Sequence, residues 1–193
     1  MKHIDVINNL KPLLQVIEHF PPEAWWVLLT AVTLLFAGWW GKKRHLLSML
    51  EAYQELKRLR GKPADHQITH LRGVDPFVFE EMILTAIKRQ GHKIQRNKRY
   101  TGDGGIDGRC TINGQEFLVQ AKRYKAHINP QHVIEFAGIC KRQNKRGLFV
   151  HTGKTGPKSK DVARNTKIEM ISGQRLLNLL LNQPKGHSQG DTL

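Results

Sequence analysis

The 193 residues carry 31 Lys and Arg against 16 Asp and Glu, a formal charge of +15, and only two cysteines, Cys110 and Cys140. This length suffices for one good core plus an appendage. The cysteine count excludes a disulfide framework, no C-x-x-C or zinc-like histidine spacing is present, and the chain suits a reducing compartment. The charge is uneven: residues 73–193 hold 21 basic and 10 acidic side chains, whereas residues 1–72 hold 10 and 6. Such a basic domain points to a polyanion, because each neutralised phosphate releases counterions; solubility and attraction to anionic lipid are the plainer readings.

In chain order, Ile7, Leu10, Leu14 and Ile17 fall at helical spacing in residues 3–20. They predict a short amphipathic helix on a membrane surface, interrupted at Pro12 and ended by Pro21-Pro22. Ala24 to Trp40 (AWWVLLTAVTLLFAGWW) has no charge in 17 residues. At 1.5 Å per residue it would extend about 26 Å, the short end for a transmembrane helix. A buried core helix and a signal peptide are the alternatives. A core helix would not normally place Trp pairs at both ends, where water interfaces favour them, and no basic n-region or Ala-x-Ala-like site is obvious. The expectation is a membrane anchor over residues 24–41. Lys42-Lys43-Arg44 follow it, which by the positive-inside rule leaves the N-terminus outside and the rest in the cytoplasm, as in a single-pass protein of a bacterial inner membrane.

Residues 43–60 predict a juxtamembrane helix with Leu46, Leu50, Tyr53 and Leu56 on one stripe, able to pack internally or to pair two protomers as a homodimer. Gly61 to Gly73 has the composition of a linker, which places a domain boundary there and the C-terminal domain over 73–185, followed by a disordered tail over 186–193. Asp75-Pro76 opens a helix that Gly91 ends, with Phe79, Ile83, Ala86 and Ile87 on its apolar stripe. A strand over His92–Arg96 precedes a Gly-rich turn. Beyond the central hairpin come a helix from Asn129-Pro130 to about Gln143, a strand over Gly147–Thr152, a helix over 157–166, a strand over Ile168–Ser172 and a closing helix over Gly173–Asn182. Strands alternating with helices predict an α/β fold with a mixed sheet of four to five strands covered on both faces.

The central stretch reads DGGIDGRCTINGQEFLVQAK over Asp103–Lys122. Two alternating runs flank Asn113-Gly114, the strongest short-range hairpin signal, because both central residues of a type I′ turn need positive φ. A two-residue loop pairs Ile112 with Gln115 and therefore sets Asp107 opposite Gln120. The period of two puts Lys122 on that face too, and Phe117, Val119 and Ala121 on the other. Register alone thus gathers a carboxylate, an amide oxygen and an ammonium. The first two are ligands for a hard cation such as Mg²⁺, and the third can orient a water or offset charge on a phosphate.

At these residues the sequence resembles the Mrr-type restriction endonucleases, the branch of the PD-(D/E)xK nucleases in which the second acidic residue is commonly Gln. Gly102-Asp103-Gly104-Gly105-Ile106-Asp107-Gly108, a hairpin and Val119-Gln120-Ala121-Lys122 carry the likeness. It extends to Pro76–Glu80 upstream and to Val133–Gly138, Gly147–Val150 and Ile171–Leu176 downstream, about 110 residues in the family's order. The resemblance implies a restriction-endonuclease-like core, a Mg²⁺ or Mn²⁺ cofactor and DNA as partner. Asp107, Gln120, Lys122 and Glu80 would be the catalytic set, with Asp107, Gln120, Glu80 and the Ala121 carbonyl at the metal. Gly104, Gly105, Arg123, Lys125, Lys154 and Lys158 are candidate DNA contacts, each also readable as a turn glycine or a solvated charge. Glu81 should point away from Glu80, since adjacent helical positions do not share a face.

Family members that restrict modified DNA carry a separate N-terminal DNA-binding domain, and here a candidate membrane segment stands instead. The loop after Val150 also lacks an aromatic residue near Thr155. A metal-dependent endodeoxyribonuclease is the leading expectation. A structure-selective nuclease such as a junction resolvase and a catalytically silent, membrane-tethered DNA-binding protein are its rivals.

Overall fold

The computed structural model describes residues 21–97 and 105–181. The expected amphipathic helix over 3–20, the tail over 186–193 and Gly102, Asp103 and Gly104 of the Gly-rich turn lie outside the described residues. The chain divides into two units, residues 1–45 and 46–193. Helix α1, Pro22–Arg58, contributes to both. In the first unit it exposes Trp25, Trp26, Val27, Leu28, Leu29, Val32, Leu34, Leu35, Phe36 and Trp39. The expected transmembrane helix is not found: among the described residues, no helix is long and apolar enough to cross a membrane.

The second unit is built on a five-stranded sheet of order β1-β2-β3-β4-β5. Its strands are β1 Lys93–Arg96, β2 Gly108–Ile112, β3 Gln115–Lys122, β4 Arg146–His151 and β5 Ile168–Ile171. The first three run antiparallel and the last two join in parallel, so the sheet is mixed, as the alternation of elements predicts. The β2–β3 register is the expected one, with Ile112 opposite Gln115 and Gly108 opposite Val119. Asn113 and Gly114 take φ of 50° and 77°, the left-handed pair that a type I′ turn demands.

The remaining helices are α2 Ala64–Gly73, α3 Pro76–Arg89, α4 Pro130–Arg142, α5 Pro157–Arg164 and α6 Gly173–Leu181. Two begin as their sequences dictate: the Asp75 carboxylate accepts from the N–H groups of Phe77 and Val78, the Asn129 side chain accepts from Gln131 N–H, and Pro follows each cap. One face of the sheet, with Phe117, Val119, Ala121, Leu148 and Val150, packs against α3 and α6 through Phe79, Ile83, Ile87, Leu176 and Leu180. The other, with Leu118 and Phe149, packs against Val133 and Phe136 of α4.

Two features upstream depart from expectation. Residues 64–73, read as linker, form α2 with Gln67 and Leu71 buried. The end of α1 and the residue after it pack internally, with Ala52, Leu56 and Leu59 fully buried in the same cluster as the α3 residues, but on a different stripe from the one expected. The inward face is therefore 52, 56 and 59, while Leu46, Leu50 and Tyr53 of the expected stripe are exposed. The Gln67 side chain donates to the Leu59 carbonyl at 2.8 Å, satisfying an acceptor that the helix end leaves open. Glu55 and His70 meet at 2.5 Å and tie the two helices further. Truncating a fully buried leucine removes transfer energy and leaves a cavity, so Leu56→Ala should cost about 2–5 kcal/mol. Urea denaturation checks this, and a change under about 0.5 kcal/mol, the range of ordinary surface substitutions, would place Leu56 outside the core.

Candidate active site

β2 and β3 end side by side, and the site forms where the ladder stops. Beyond Gly108 the chain leaves the regular register: Asp107 N–H donates to the Val119 carbonyl at 2.8 Å. The Asp107 carboxylate accepts from Ala121 N–H at 2.6 Å. The side chain is thereby anchored to the backbone between Gln120 and Lys122, and one oxygen keeps lone pairs for another partner.

Gln120 is nearly fully buried. Its Nε2 donates to the Gly105 carbonyl at 2.5 Å, and that acceptor fixes the orientation of the amide. Oε1 is buried and, among the described residues, has no hydrogen-bond partner. Gly105 takes φ +87°, and a Cβ there would lie 2.8 Å from Gln120 Nε2. Glycine is thus required both by the turn and by the amide against it. The Asn97 side chain donates to the Ile106 carbonyl and closes the far side of the turn.

Glu80, half-buried on the first turns of α3, is raised from 4.5 to about 8, first by desolvation and then by the charges of Asp107, Glu81 and Asp75, with Lys122 pulling the other way. Asp107 is raised from 3.8 to about 6, mainly by burial, against the Ala121 N–H and Lys122. The two carboxyls and the Lys122 ammonium therefore act on one another. Glu81 points elsewhere, as helical geometry requires, and pairs with Arg96 of β1 at 2.6 Å.

Of the expected DNA contacts, Gly104 lies outside the described residues. Arg123 donates to the Arg72 carbonyl of α2 at 3.1 Å. Lys125 and Lys154 are exposed on two loops joined by a parallel bridge between His127 and Lys154. Lys158 lines a groove of about 740 Å³ between α4 and α5, with Lys141, Lys145 and Lys167 on its rim. His132 Nδ1 and the Tyr124 hydroxyl share a hydrogen bond of 2.6 Å, and His151 is completely buried at the end of β4. Sequence spacing did not single out Tyr124 or Thr152, which hold the segment after Lys122: Thr152 Oγ1 accepts from Tyr124 N–H at 2.9 Å and donates to its carbonyl at 3.0 Å. Each belongs to a loop, and only the parallel pairing of β3 with β4 brings them together.

Among the described residues no three His, Cys, Asp or Glu cluster as metal ligands. A divalent cation would instead rely on two carboxylates, an amide oxygen and a backbone carbonyl. That set fits a hard cation by donor type. The buried Gln120 Oε1, which has no partner among the described residues, and two carboxyls pushed upward chiefly by burial are groups that a bound cation would satisfy.

With the geometry in hand, the comparison with known families is direct. The restriction endonuclease family with the Mrr-type catalytic domain matches residues 71–180, more than half of the chain, and the protein belongs to that family. Among solved structures, the MspJI restriction endonuclease in complex with a 27-mer oligonucleotide is similar at TM-score 0.49 and 19% identity, over 62% of this chain and 31% of that one. Pyrococcus furiosus SfsA in complex with Ca²⁺ is similar at TM-score 0.36 and 18% identity, over 54% and 56%. The chain spans about a third of the MspJI chain. No curated protein sequence matches.

The raised carboxyls set the pH dependence of stability. The folded chain binds more protons than the unfolded chain between the ordinary and the raised values, so stabilisation is full below pH 3.8–4.5 and is lost as pH rises through about 6 for Asp107 and about 8 for Glu80. Without divalent cation, the melting temperature should fall from pH 5 to pH 8, and Glu80→Gln should flatten the upper part of that slope. A melting temperature that rises over this range would refute the assignment.

Proposed function

We propose that the chain is a Mg²⁺- or Mn²⁺-dependent endodeoxyribonuclease of restriction type. The observation that carries this reading is the convergence of Asp107 and Glu80 beside Lys122 within the family's catalytic domain. Asp107, Glu80, Gln120 Oε1 and the Ala121 carbonyl would hold the cation, which when bound polarises the scissile phosphate and lowers the pKa of water. Ala121 N–H fixes the Asp107 carboxylate so that no reorientation is needed on binding. Lys122 orients the attacking water and offsets the charge that grows on the phosphate oxygens. Lys125 and Lys154, both exposed, track neighbouring phosphates.

A second element of the proposal is attachment to a membrane through the exposed apolar side chains of residues 24–41. Ten large apolar side chains between Trp25 and Trp39 stand exposed, and a contiguous exposed apolar patch marks an interaction or membrane surface. Flotation with anionic lipid vesicles tests this: the intact chain should rise with the vesicles even in 1 M salt, which screens charge, and a chain lacking residues 24–41 should not. Recovery of the intact chain at the bottom of the gradient would leave the membrane assignment without support.

The enzymatic reading is tested with plasmid DNA in Mg²⁺ or Mn²⁺ beside EDTA. Cutting should require the metal and fall by at least about 100-fold in Asp107→Asn and in Lys122→Ala, the scale of losing one group that stabilises transition-state charge. Gln120→Glu adds a charged ligand and should lower the Mg²⁺ concentration at half-maximal rate. Cutting confined to branched DNA would give the resolvase reading. Tight binding without cutting on linear, modified and branched DNA would give the silent tether.

A further inference from the structure

Immediately after Lys122, the chain enters a closed ring of hydrogen bonds. Arg72, the penultimate residue of α2, donates from Nε and Nη2 to the Thr152 carbonyl, each at 3.3 Å. Thr152 Oγ1 takes the Tyr124 N–H and returns its own hydrogen to the Tyr124 carbonyl. Arg123, between Lys122 and Tyr124, donates back to the Arg72 carbonyl at 3.1 Å. Arg72 and Arg123 are half-buried and Thr152 is 2% exposed, so water competes weakly for these bonds. The ring spans sequence separations of 28, 51 and 80 residues, and it joins α2 to the ends of the two strands that carry Lys122 and His151 as neighbours.

We propose that Arg72 is a positioning residue for Lys122: by holding the ends of β3 and β4 together, its guanidinium sets where the ammonium stands relative to Asp107 and Glu80. Two donors in a planar fork on one carbonyl suit Arg and not Lys, and a purely electrostatic role would not need the Arg123 bond back to the same residue. α2 in turn is fastened to α1 through Leu59, Gln67, Glu55 and His70. The helical segment before the catalytic core thus ends in the active site.

The inference rests on the nuclease reading, and the experiment separates the two. The full chain carrying Arg72→Ala, Arg72→Lys, Thr152→Ala or Lys122→Ala, and the double variant R72A/K122A, is assayed on plasmid DNA in Mg²⁺ at a temperature below every melting point. Leu180→Ala, at a buried position of α6, serves as a control for lost stability. The ¹³Cε signal of Lys122 is recorded in parallel without DNA. Arg72→Ala should lower kcat about 10- to 100-fold with KM within about twofold, the scale of a small misplacement of a catalytic group. Arg72→Lys should recover part of the loss, Thr152→Ala should follow Arg72→Ala, and Leu180→Ala should leave kcat unchanged. Because Arg72 acts through Lys122, its loss should cost nothing further in the Lys122→Ala background. The Lys122 signal should move in Arg72→Ala and stay in Leu180→Ala. Wild-type kcat in Arg72→Ala, or a loss that multiplies onto that of Lys122→Ala, would overturn the proposal. If the wild-type chain never cuts DNA, the nuclease reading falls and the Lys122 signal decides alone: displaced in Arg72→Ala, it supports the positioning role, and unmoved, it overturns it.

Discussion

The bond from Ala121 N–H to the Asp107 carboxylate is the constraint on which the site depends. It forms because the β2–β3 ladder ends at Gly108 and leaves an amide at the end of β3 without a strand partner on that side. A buried backbone donor must find an acceptor, and the first carboxylate beyond the turn supplies it. In doing so Asp107 is drawn to the backbone between Gln120 and Lys122, and the acid, amide and base of the site become one rigid unit. The hydrogen bond pulls the Asp107 pKa down, yet burial outweighs it and leaves the group at about 6. Burial thus favours the protonated forms of Asp107 and Glu80, an arrangement found often among functional carboxylates.

Gln120 keeps a further charge out of that setting. An acidic residue at that position would add a third carboxylate beside Asp107 and Glu80, where burial first and then the charge of Asp107 already raise the Glu80 carboxyl. The amide keeps the oxygen and removes the charge. Its Nε2 meanwhile fastens the Gly105 turn, a bond that a carboxylate, having no donor, could not make. The same side chain therefore serves the turn with its nitrogen and leaves its oxygen free for the site, and Gly105 is fixed by that double use rather than by close approach to a phosphate alone.

What the sequence shows of this fold follows the range of the forces involved. The hairpin register was legible because Asn113-Gly114 fixes it within two residues, and the starts of α3 and α4 were legible because Asp-Pro and Asn-Pro are local cap chemistry. From the register came the meeting of Asp107 with the Gln120–Lys122 segment. The inward face of α1 was legible only at Leu56: the expected stripe of Leu46, Leu50, Tyr53 and Leu56 and the observed one of Ala52, Leu56 and Leu59 share that residue, and only packing within the core decides between them. α2 was not legible: Gly61 and Pro63 just before it imitate a linker, while its Gln67 bonds to the Leu59 carbonyl and its Leu71 is buried. The burial of Gln120 follows from the cover expected on both faces of the sheet, which parallel pairing with β4 and the packing of α4 supply.

The same distinction governs how the site is held. Its chemical groups come from a hairpin and one adjoining helix, short-range pieces that a sequence can specify locally. Their relative placement comes from long-range bonds, Arg72 to Thr152 and Arg123 to Arg72 above all. A carboxylate and an ammonium on neighbouring strands act together only if the strand ends do not splay, and strand ends fray because they have fewest ladder bonds. At the end of β3 the side chains of Arg72, Arg123 and Thr152 replace the ladder that stops there. The chain upstream of the catalytic domain is accordingly part of the machinery's frame, and changes to the end of α1 or to α2 reach Lys122 through bonded neighbours rather than through the sheet alone.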